Sequence, residues 1–90
     1  MEKPAENGYT IYTKNNCGWC RRAKELLPNA TVYSCDIHLN KDRQLFLSMI
    51  DAWTGVHHHT FPIIFLHGQL IVGGYESAKK NLDFNTTMTF

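Results

Sequence analysis

The chain has 90 residues, and its nine Lys and Arg against eight Asp and Glu give a formal net charge of +1. This near balance excludes a nucleic-acid-binding protein that relies on a strongly basic surface, and it excludes an acidic solvating chain. With 43% hydrophobic and 19% charged residues, the sequence predicts one folded domain over residues 1–90, with a frayed polar lead-in over residues 1–7.

The sequence carries no sign of a membrane partner. No stretch approaches the ~20 apolar residues that a membrane span needs, and residues 1–7 lack the apolar centre of a signal peptide. We therefore expect a cytoplasmic protein. In such a reducing compartment a cysteine pair is redox-active or metal-binding rather than structural, and three cysteines are too few for a disulfide framework.

Strand and helix patterns alternate along the chain. The predicted elements are, in order, a strand at Tyr9–Thr13, a helix at Arg21–Leu27, a strand at Thr31–Ile37, a helix from a cap at Asn40 to Gly55, strands at Pro62–Leu66 and Leu70–Val72, and a helix at Tyr75–Leu82. This β-α-β-α-β-β-α order predicts an α/β fold. A parallel strand pair joined by a right-handed crossover and a terminal hairpin would form a four-stranded mixed sheet flanked by about three helices.

The second predicted helix carries a broad apolar face that we expect to pack in the core. This face consists of Leu45, Phe46, Met49, Ile50 and Trp53. Cys35, on the second predicted strand, is interpreted as a buried apolar residue.

Cys17 and Cys20 form a C-x-x-C motif where the first strand gives way to a helix. The sulfur of Cys17 would lie at the helix N-terminus, where unpaired backbone N–H groups favour negative charge, and Arg21 and Arg22 add positive potential. These surroundings favour the reactive thiolate. Cys20, one turn deeper, could attack a mixed disulfide formed at Cys17, so the pair has what thiol–disulfide exchange requires.

Two other interpretations of the motif are weaker. A C-x-x-C can be half of a zinc site, and His57–His59 is the cluster that could complete it. Three adjacent histidines on a loop, however, lack the close-spaced second pair that structural zinc sites prefer. A purely structural pair would place Trp19 at an exposed turn without a reason. The residues therefore favour redox chemistry.

From about Tyr9 to Leu82 the chain resembles a glutaredoxin, a small protein of the thioredoxin fold. The resemblance rests on three features in the same order: Lys14 in a Lys-x-x-Cys-x-x-Cys pattern, Thr60–Pro62 in place of a Thr-Val-Pro segment, and a Gly73–Tyr75 turn before the last helix. It implies a thioredoxin-like fold and an enzyme that uses glutathione to reduce protein disulfides and glutathione mixed disulfides. Ribonucleotide reductase is among the protein partners that the resemblance implies.

The resemblance also implies roles for individual residues. Cys17 would be the catalytic nucleophile and Cys20 the catalytic resolving thiol, while a cis Pro62 would face both and leave the Phe61 main chain to bind the cysteinyl part of glutathione. The helix N-terminus after Gly73 would hold the γ-glutamyl carboxylate. The glutathione-binding residues implied in this way are Lys14, Trp19, His59, Thr60, Phe61, Pro62, Gly73, Gly74, Tyr75, Glu76 and Ser77.

Three departures from the family pattern leave alternatives open. The motif reads Cys-Gly-Trp-Cys instead of Cys-Pro-Tyr-Cys, Glu76-Ser77 stands where Ser/Thr-Asp is frequent, and His59 stands where Arg, Gln or Lys is usual. Glutaredoxins with a small residue at the position of Gly18 include members that hold a [2Fe–2S] cluster between two protomers, through the residue equivalent to Cys17 and two glutathiones. The expectation is a monomer without a cluster and a dimer with one. A thioredoxin-like reductant that does not use glutathione is the third alternative.

Overall fold

A computed structural model describes residues 2–55 and 60–87 of the chain. Its elements are, in order, β1 (Tyr9–Thr13), α1 (Gly18–Leu26), β2 (Thr31–Ser34), α2 (Asp36–Lys41), α3 (Arg43–Thr54), β3 (Ile63–Leu66), β4 (Gln69–Ile71) and α4 (Gly74–Thr87). None of the helices in this part of the chain is long and apolar enough to cross a membrane.

The four strands form one mixed sheet in the order β2-β1-β3-β4. β1 pairs in parallel with β2, with Ile11 opposite Val32, and antiparallel with β3, with Ile11 opposite Ile64. β3 continues into the antiparallel hairpin partner β4. The predicted α/β fold with a four-stranded mixed sheet is therefore confirmed.

Both faces of the sheet are covered, because successive side chains of a strand point to opposite sides. On β1, Ile11 packs with Ala23 of α1 and Ala78 of α4, whereas the next residue, Tyr12, packs with Phe46 and other residues of α2 and α3. The central strands are correspondingly apolar on both sides. This two-sided burial fixes the register of β1 against its neighbouring strands. α1 begins shortly after the carboxyl end of β1.

The region between β2 and β3 differs from the prediction. β2 ends at Ser34 rather than Ile37, and α2 is an additional helix that the sequence pattern did not separate from α3. The cap of α3 is Asp42 instead of Asn40: its backbone is extended, and its carboxylate accepts a hydrogen bond of 3.0 Å from the Leu45 N–H. Asp is a strong N-cap residue, which explains why the chain breaks and restarts its helix here.

The expectation that the whole apolar face of α3 lies in the core is wrong for three residues. Leu45, Met49 and Trp53 are 60%, 50% and 38% exposed, while Phe46, Leu47 and Ile50 are buried. A helix packed on one sheet face buries a stripe about 100° wide, and the three exposed residues lie on the flank of that stripe. Trp53 still touches the rings of Tyr12 and Phe65, at centroid distances of 5.8 and 5.6 Å.

The polar lead-in has no helix or strand over residues 2–8, but two hydrogen bonds connect it to β1. The Tyr12 hydroxyl donates to the Glu2 carbonyl oxygen at 2.7 Å, and the Ala5 N–H donates to the Thr10 hydroxyl at 2.9 Å. Both hydrogen bonds are made with buried side chains, those of Tyr12 and Thr10.

Candidate active site

Cys17 is the N-cap residue of α1. Its backbone is extended, and its sulfur accepts a hydrogen bond of 3.2 Å from the Cys20 N–H. The two sulfur atoms lie at disulfide distance and the two Cα atoms are 5.2 Å apart, within the range of a disulfide. Cys17 is half-buried and Cys20 is buried. The pair therefore has one outer and one inner sulfur, and the outer one faces the orphan N–H groups of the helix.

The loop before Cys17 is held by Asp36, at the start of α2. One carboxylate oxygen of Asp36 accepts from the Asn15 N–H at 2.8 Å, and the other accepts from the Ser34 hydroxyl at 2.8 Å. Asn16, between this anchor and Cys17, has a left-handed φ of 57°, a conformation that asparagine tolerates better than most residues. Asp36 thus fixes the turn that delivers the backbone from β1 to the thiol.

The segment before β3 shares an apolar cluster with the cysteines. The Phe61–Pro62 peptide bond is cis, Phe61 and Pro62 are buried, and Thr60 is exposed. Phe61 belongs to the same apolar cluster as Cys20, and Cys17 packs against that cluster. The ammonium of Lys14, from the loop before α1, lies 5.7 Å from the centre of the Phe61 ring, a cation–π distance. His59 falls outside the described residues.

Gly73 and Gly74 form the turn that begins α4, and the backbone at both positions favours glycine. Their φ angles are +100° and +63°, which disfavour any side chain. A Cβ at Gly73 would collide with the Ser77 hydroxyl, and one at Gly74 would lie 3.2 Å from the Pro62 carbonyl oxygen. The turn therefore approaches the cis-proline segment closely. Glu76 is exposed and Ser77 half-buried in the first turn of α4.

Trp19 joins the start of α1 to the start of α4. Trp19 is 47% exposed, and its ring lies 5.3 Å from the ring of Tyr75, centroid to centroid. The guanidinium carbon of Arg22 lies 4.6 Å from the centre of the same Trp19 ring. The contact brings together two parts of the candidate site that are 56 positions apart in the sequence (75 minus 19).

The structure thus gathers most of the residues that the sequence singled out. Cys17, Cys20 and Phe61 share one apolar cluster, Lys14 lies near the Phe61 ring, Trp19 reaches Tyr75, and Gly74 lies close to Pro62. No described contact connects Thr60 or Glu76 to this group. Among residues 2–55 and 60–87, no group of three or more His, Cys, Asp or Glu is arranged to hold a metal ion, and His57–His59 lie outside that part.

Cys35 lies away from this chemistry although it also precedes a helix. It is the N-cap residue of α2, its side chain makes no capping hydrogen bond, and it is fully buried. Burial, reinforced by the neighbouring Asp36 carboxylate, raises the pKa of the Cys35 thiol to about 12. The buried apolar role predicted for Cys35 matches this position, except that the residue follows β2 rather than belonging to it.

Sequence reasoning missed the anchoring role of Asp36 and the placement of Arg22. Ser34-Cys35-Asp36 is the type of short polar pattern that caps a helix or turn, but its partner, Asn15, is 21 positions away. The three-residue spacing of Trp19 and Arg22 was a readable signal, because such residues are neighbours on a helix.

The thioredoxin-like sheet and a dithiol at a helix N-terminus define the class of the protein: a thiol–disulfide redox protein. Residues 9–71 match the family model described as Glutaredoxin. Because this match covers more than half of the chain, the chain belongs to the glutaredoxin family. A search of curated proteins gave no match.

Solved glutaredoxin structures are similar to about nine-tenths of the chain. Glutaredoxin 1 from Francisella tularensis, complexed with cacodylate, has a TM-score of 0.71 at 24% identity, over 89% of this chain and 96% of that one, and shows the fold alone. The holo form of glutaredoxin C1 from Populus tremula x tremuloides has a TM-score of 0.66 at 26% identity, over 93% and 82%. A buckwheat glutaredoxin–glutathione complex has a TM-score of 0.62 at 27% identity, over 90% and 74%.

Proposed function

We propose that this protein is a glutathione-dependent thiol–disulfide oxidoreductase that reduces glutathione mixed disulfides and protein disulfides in the cytoplasm. The observation that carries the proposal is the arrangement of the two sulfurs: Cys17 half-exposed at the N-cap of α1, with Cys20 buried behind it. Family membership supports the redox activity in general. Glutathione dependence and the substrates are our proposal.

The chemistry begins at Cys17. In a glutathionylated protein, the Cys17 thiolate attacks the glutathione sulfur, the Cys17–glutathione disulfide forms, and the protein leaves as a thiolate that takes up a proton. The thiolate of a second glutathione then attacks the bound glutathione sulfur, which releases Cys17 and forms glutathione disulfide. The α1 N–H groups stabilise the Cys17 thiolate before the first step and after the second.

Cys20 takes part in the reaction when the substrate is a protein disulfide. Cys17 attacks one substrate sulfur and forms a mixed disulfide, which releases the other sulfur as a thiol. Cys20 then attacks Cys17, releases the second substrate thiol and closes the Cys17–Cys20 disulfide. Two glutathiones reduce this disulfide. The Cα–Cα distance of 5.2 Å supports ring closure without movement of the helix. Ribonucleotide reductase is one substrate of this kind that we propose to test.

Three neighbouring elements support binding of glutathione. Lys14 carries a positive charge beside the Phe61 ring, which suits the glycine carboxylate. Phe61 shares the apolar cluster of the cysteines, and its main chain is proposed to receive the cysteinyl part. The N-terminus of α4, which starts at Gly74, offers N–H groups to the γ-glutamyl carboxylate. The buckwheat relative was solved as a glutathione complex. His59 and Thr60 are proposed to complete the site.

Turnover in a coupled assay tests this function. Wild-type protein is assayed with glutathione, glutathione reductase and NADPH on a small mixed disulfide and on a protein disulfide. We expect Cys17→Ser to lose both activities, and Cys20→Ser to keep the first and lose the second. Cys35→Ser is the control for removal of a thiol and should keep both. Equal loss from Cys17→Ser and Cys20→Ser on the mixed disulfide would contradict the division of roles.

A [2Fe–2S] cluster remains the second candidate function, and Gly18 is the observation that favours it. A Cβ added at Gly18 meets nothing within 4 Å, so the surface beside Cys17 is open. One accessible thiol per chain suits a cluster shared by two copies, with glutathione as the remaining ligand. Anaerobic reconstitution with iron, sulfide and glutathione should give a brown dimer if this function holds. A colourless monomer would contradict it.

A further inference from the structure

Basic side chains are concentrated around the candidate active site. Between residues 14 and 24 the chain carries four of its nine basic residues and none of its eight acidic ones, so this segment has a formal charge of +4 in a chain of +1. These four residues are Lys14, Arg21, Arg22 and Lys24. Glu25 follows this segment directly in the sequence, and the Asp36 carboxylate, which contacts the segment at Asn15, also accepts from Ser34. The segment that carries Cys17 is therefore positively charged.

Among the four, Arg22 has the most defined position. Its guanidinium lies over the exposed Trp19 ring, at 4.6 Å from the ring centre, and Tyr75 supports that ring at 5.3 Å. A guanidinium held over a ring face still has N–H donors that can bind a carboxylate in a bidentate way. A stacked guanidinium is also restricted in its motion, so less entropy is lost when it binds.

The position of Arg22 along α1 suits a residue near the reacting cysteine of a substrate. Arg22 follows Cys17 by five residues, which corresponds to about 7.5 Å along a helix axis. An extended peptide advances ~3.3 Å per residue. A substrate residue two or three positions from the cysteine whose disulfide reacts with Cys17 can therefore reach Arg22.

We propose that Arg22, stacked on Trp19, is a specificity-determining residue that binds an acidic side chain two or three positions from the disulfide-forming cysteine of a protein substrate. The proposal rests on the proposed function, because the subsite acts on the same substrates. Glutathione mixed disulfides of small thiols do not reach this subsite, so it discriminates only among peptides and proteins.

Three glutathionylated peptides test the subsite. They are identical except that the residues two positions from the single cysteine, on both sides, are Glu, Gln or Lys. With the wild-type protein at low ionic strength we expect kcat/KM to be highest for the Glu peptide, lower for Gln and lowest for Lys. Each step should be about fivefold, the effect of one exposed charge pair. The difference should shrink at 1 M salt, where the Debye length is only about 3 Å.

A charge-matched pair of variants distinguishes a specific contact of Arg22 from the general positive electrostatic potential of α1. Arg22→Glu and Arg21→Glu change the net charge equally on the same helix, but only Arg22 lies over Trp19. We expect Arg22→Glu to reverse the order of the Glu and Lys peptides, whereas Arg21→Glu keeps the order with a smaller difference. Arg22→Gln, the milder change, should abolish most of the preference. Circular dichroism confirms folding of each variant.

The outcomes distinguish the two proposals. Equal kcat/KM for the three peptides with wild-type protein, or equal effects of Arg22→Glu and Arg21→Glu, would overturn the subsite and leave the proposed function intact. No turnover of any glutathionylated peptide would overturn the proposed function, and the subsite with it.

Discussion

Cys17 and Cys35 occupy matching places in the fold and have opposite properties. Each is the N-cap residue of a helix that follows a strand of the parallel pair. The Cys17 sulfur is half-exposed and accepts an N–H from its helix, whereas the Cys35 side chain is 0% exposed and accepts none. The helix terminus therefore does not make a cysteine reactive by itself. Exposure and the orientation of the sulfur toward the N–H groups decide the difference.

Asp36 acts on both the loop before Cys17 and the surroundings of Cys35, and its effects on the two differ. Toward the active site, its carboxylate holds the Asn15 N–H and so orders the loop before Cys17. Toward the core, its negative charge adds to burial in raising the pKa of Cys35. One acidic residue at the start of α2 thus helps to position the reactive thiol and helps to keep the inert one protonated.

The largest difference between the two thiols is expected in alkylation. In the reduced protein at pH 7.5, iodoacetamide should modify Cys35 about a thousandfold more slowly than Cys17. The reason is that a buried thiol with a pKa of about 12 is almost never a thiolate at this pH. Mass spectrometry of the labelled peptides measures both rates. In guanidinium chloride the two rates should become similar, and fast labelling of Cys35 in the native protein would contradict the comparison.

An intermediate effect is expected from Asp36→Ala. The variant loses the hydrogen bonds from Asn15 and Ser34, which should cost about 1–2 kcal/mol of stability and lower glutathione-coupled turnover at least about threefold, because the Cys17 loop is less well placed. Urea unfolding and the coupled assay measure these effects.

Asp42→Ala is the matched control for that variant. It removes a comparable aspartate, the N-cap of α3, which accepts from the Leu45 N–H at 3.0 Å. It should cost about 1 kcal/mol without the loss of turnover. Similar turnover in the two variants would show that Asp36 acts only through stability.

The same contrast explains how far the sequence alone predicted the site. The C-x-x-C spacing, the Gly73-Gly74 pair and Pro62 are local patterns. The structure brings Gly74 close to Pro62 and places Phe61 in the apolar cluster of the cysteines. The contacts between segments could not be derived, because Asp36 meets Asn15 and Trp19 meets Tyr75 only after the chain has folded. Local patterns locate reactive residues, whereas tertiary packing decides their partners.

The fold shows the same division between local and tertiary information. Strand patterns and the alternation with helices were sufficient for the four-stranded mixed sheet. The apolar spacing of Leu45, Met49 and Trp53 was not sufficient to decide burial, since these residues are apolar and helical but lie beside the stripe that faces the sheet. Hydrophobic periodicity predicts that a helix is present more reliably than it predicts how wide the buried face of that helix is.

The smallest expected effect concerns the pH dependence of stability. The pKa of Cys35 is about 12 in the folded protein against 9.0 as its ordinary value, so above pH 9 the unfolded chain loses this proton before the folded one does. Stability is therefore fully retained below about pH 9 and falls as the pH rises toward 12. Burial also raises the pKa of Tyr12, which adds to the fall in the same direction.

Cys35→Ala isolates the cysteine part of this dependence. Between pH 8 and 10 the wild-type protein should lose about 1 kcal/mol more stability than the variant, because one raised pKa unit corresponds to about 1.4 kcal/mol. Urea unfolding at a series of pH values, on protein with the Cys17–Cys20 disulfide closed, measures the difference while those two thiols cannot titrate. The variant should be less stable at pH 7, where it lacks a buried sulfur, and should approach the wild type as the pH rises. Parallel pH profiles would mean that Cys35 ionises in the folded protein as easily as in the unfolded chain, and the contrast with Cys17 would then rest on exposure alone.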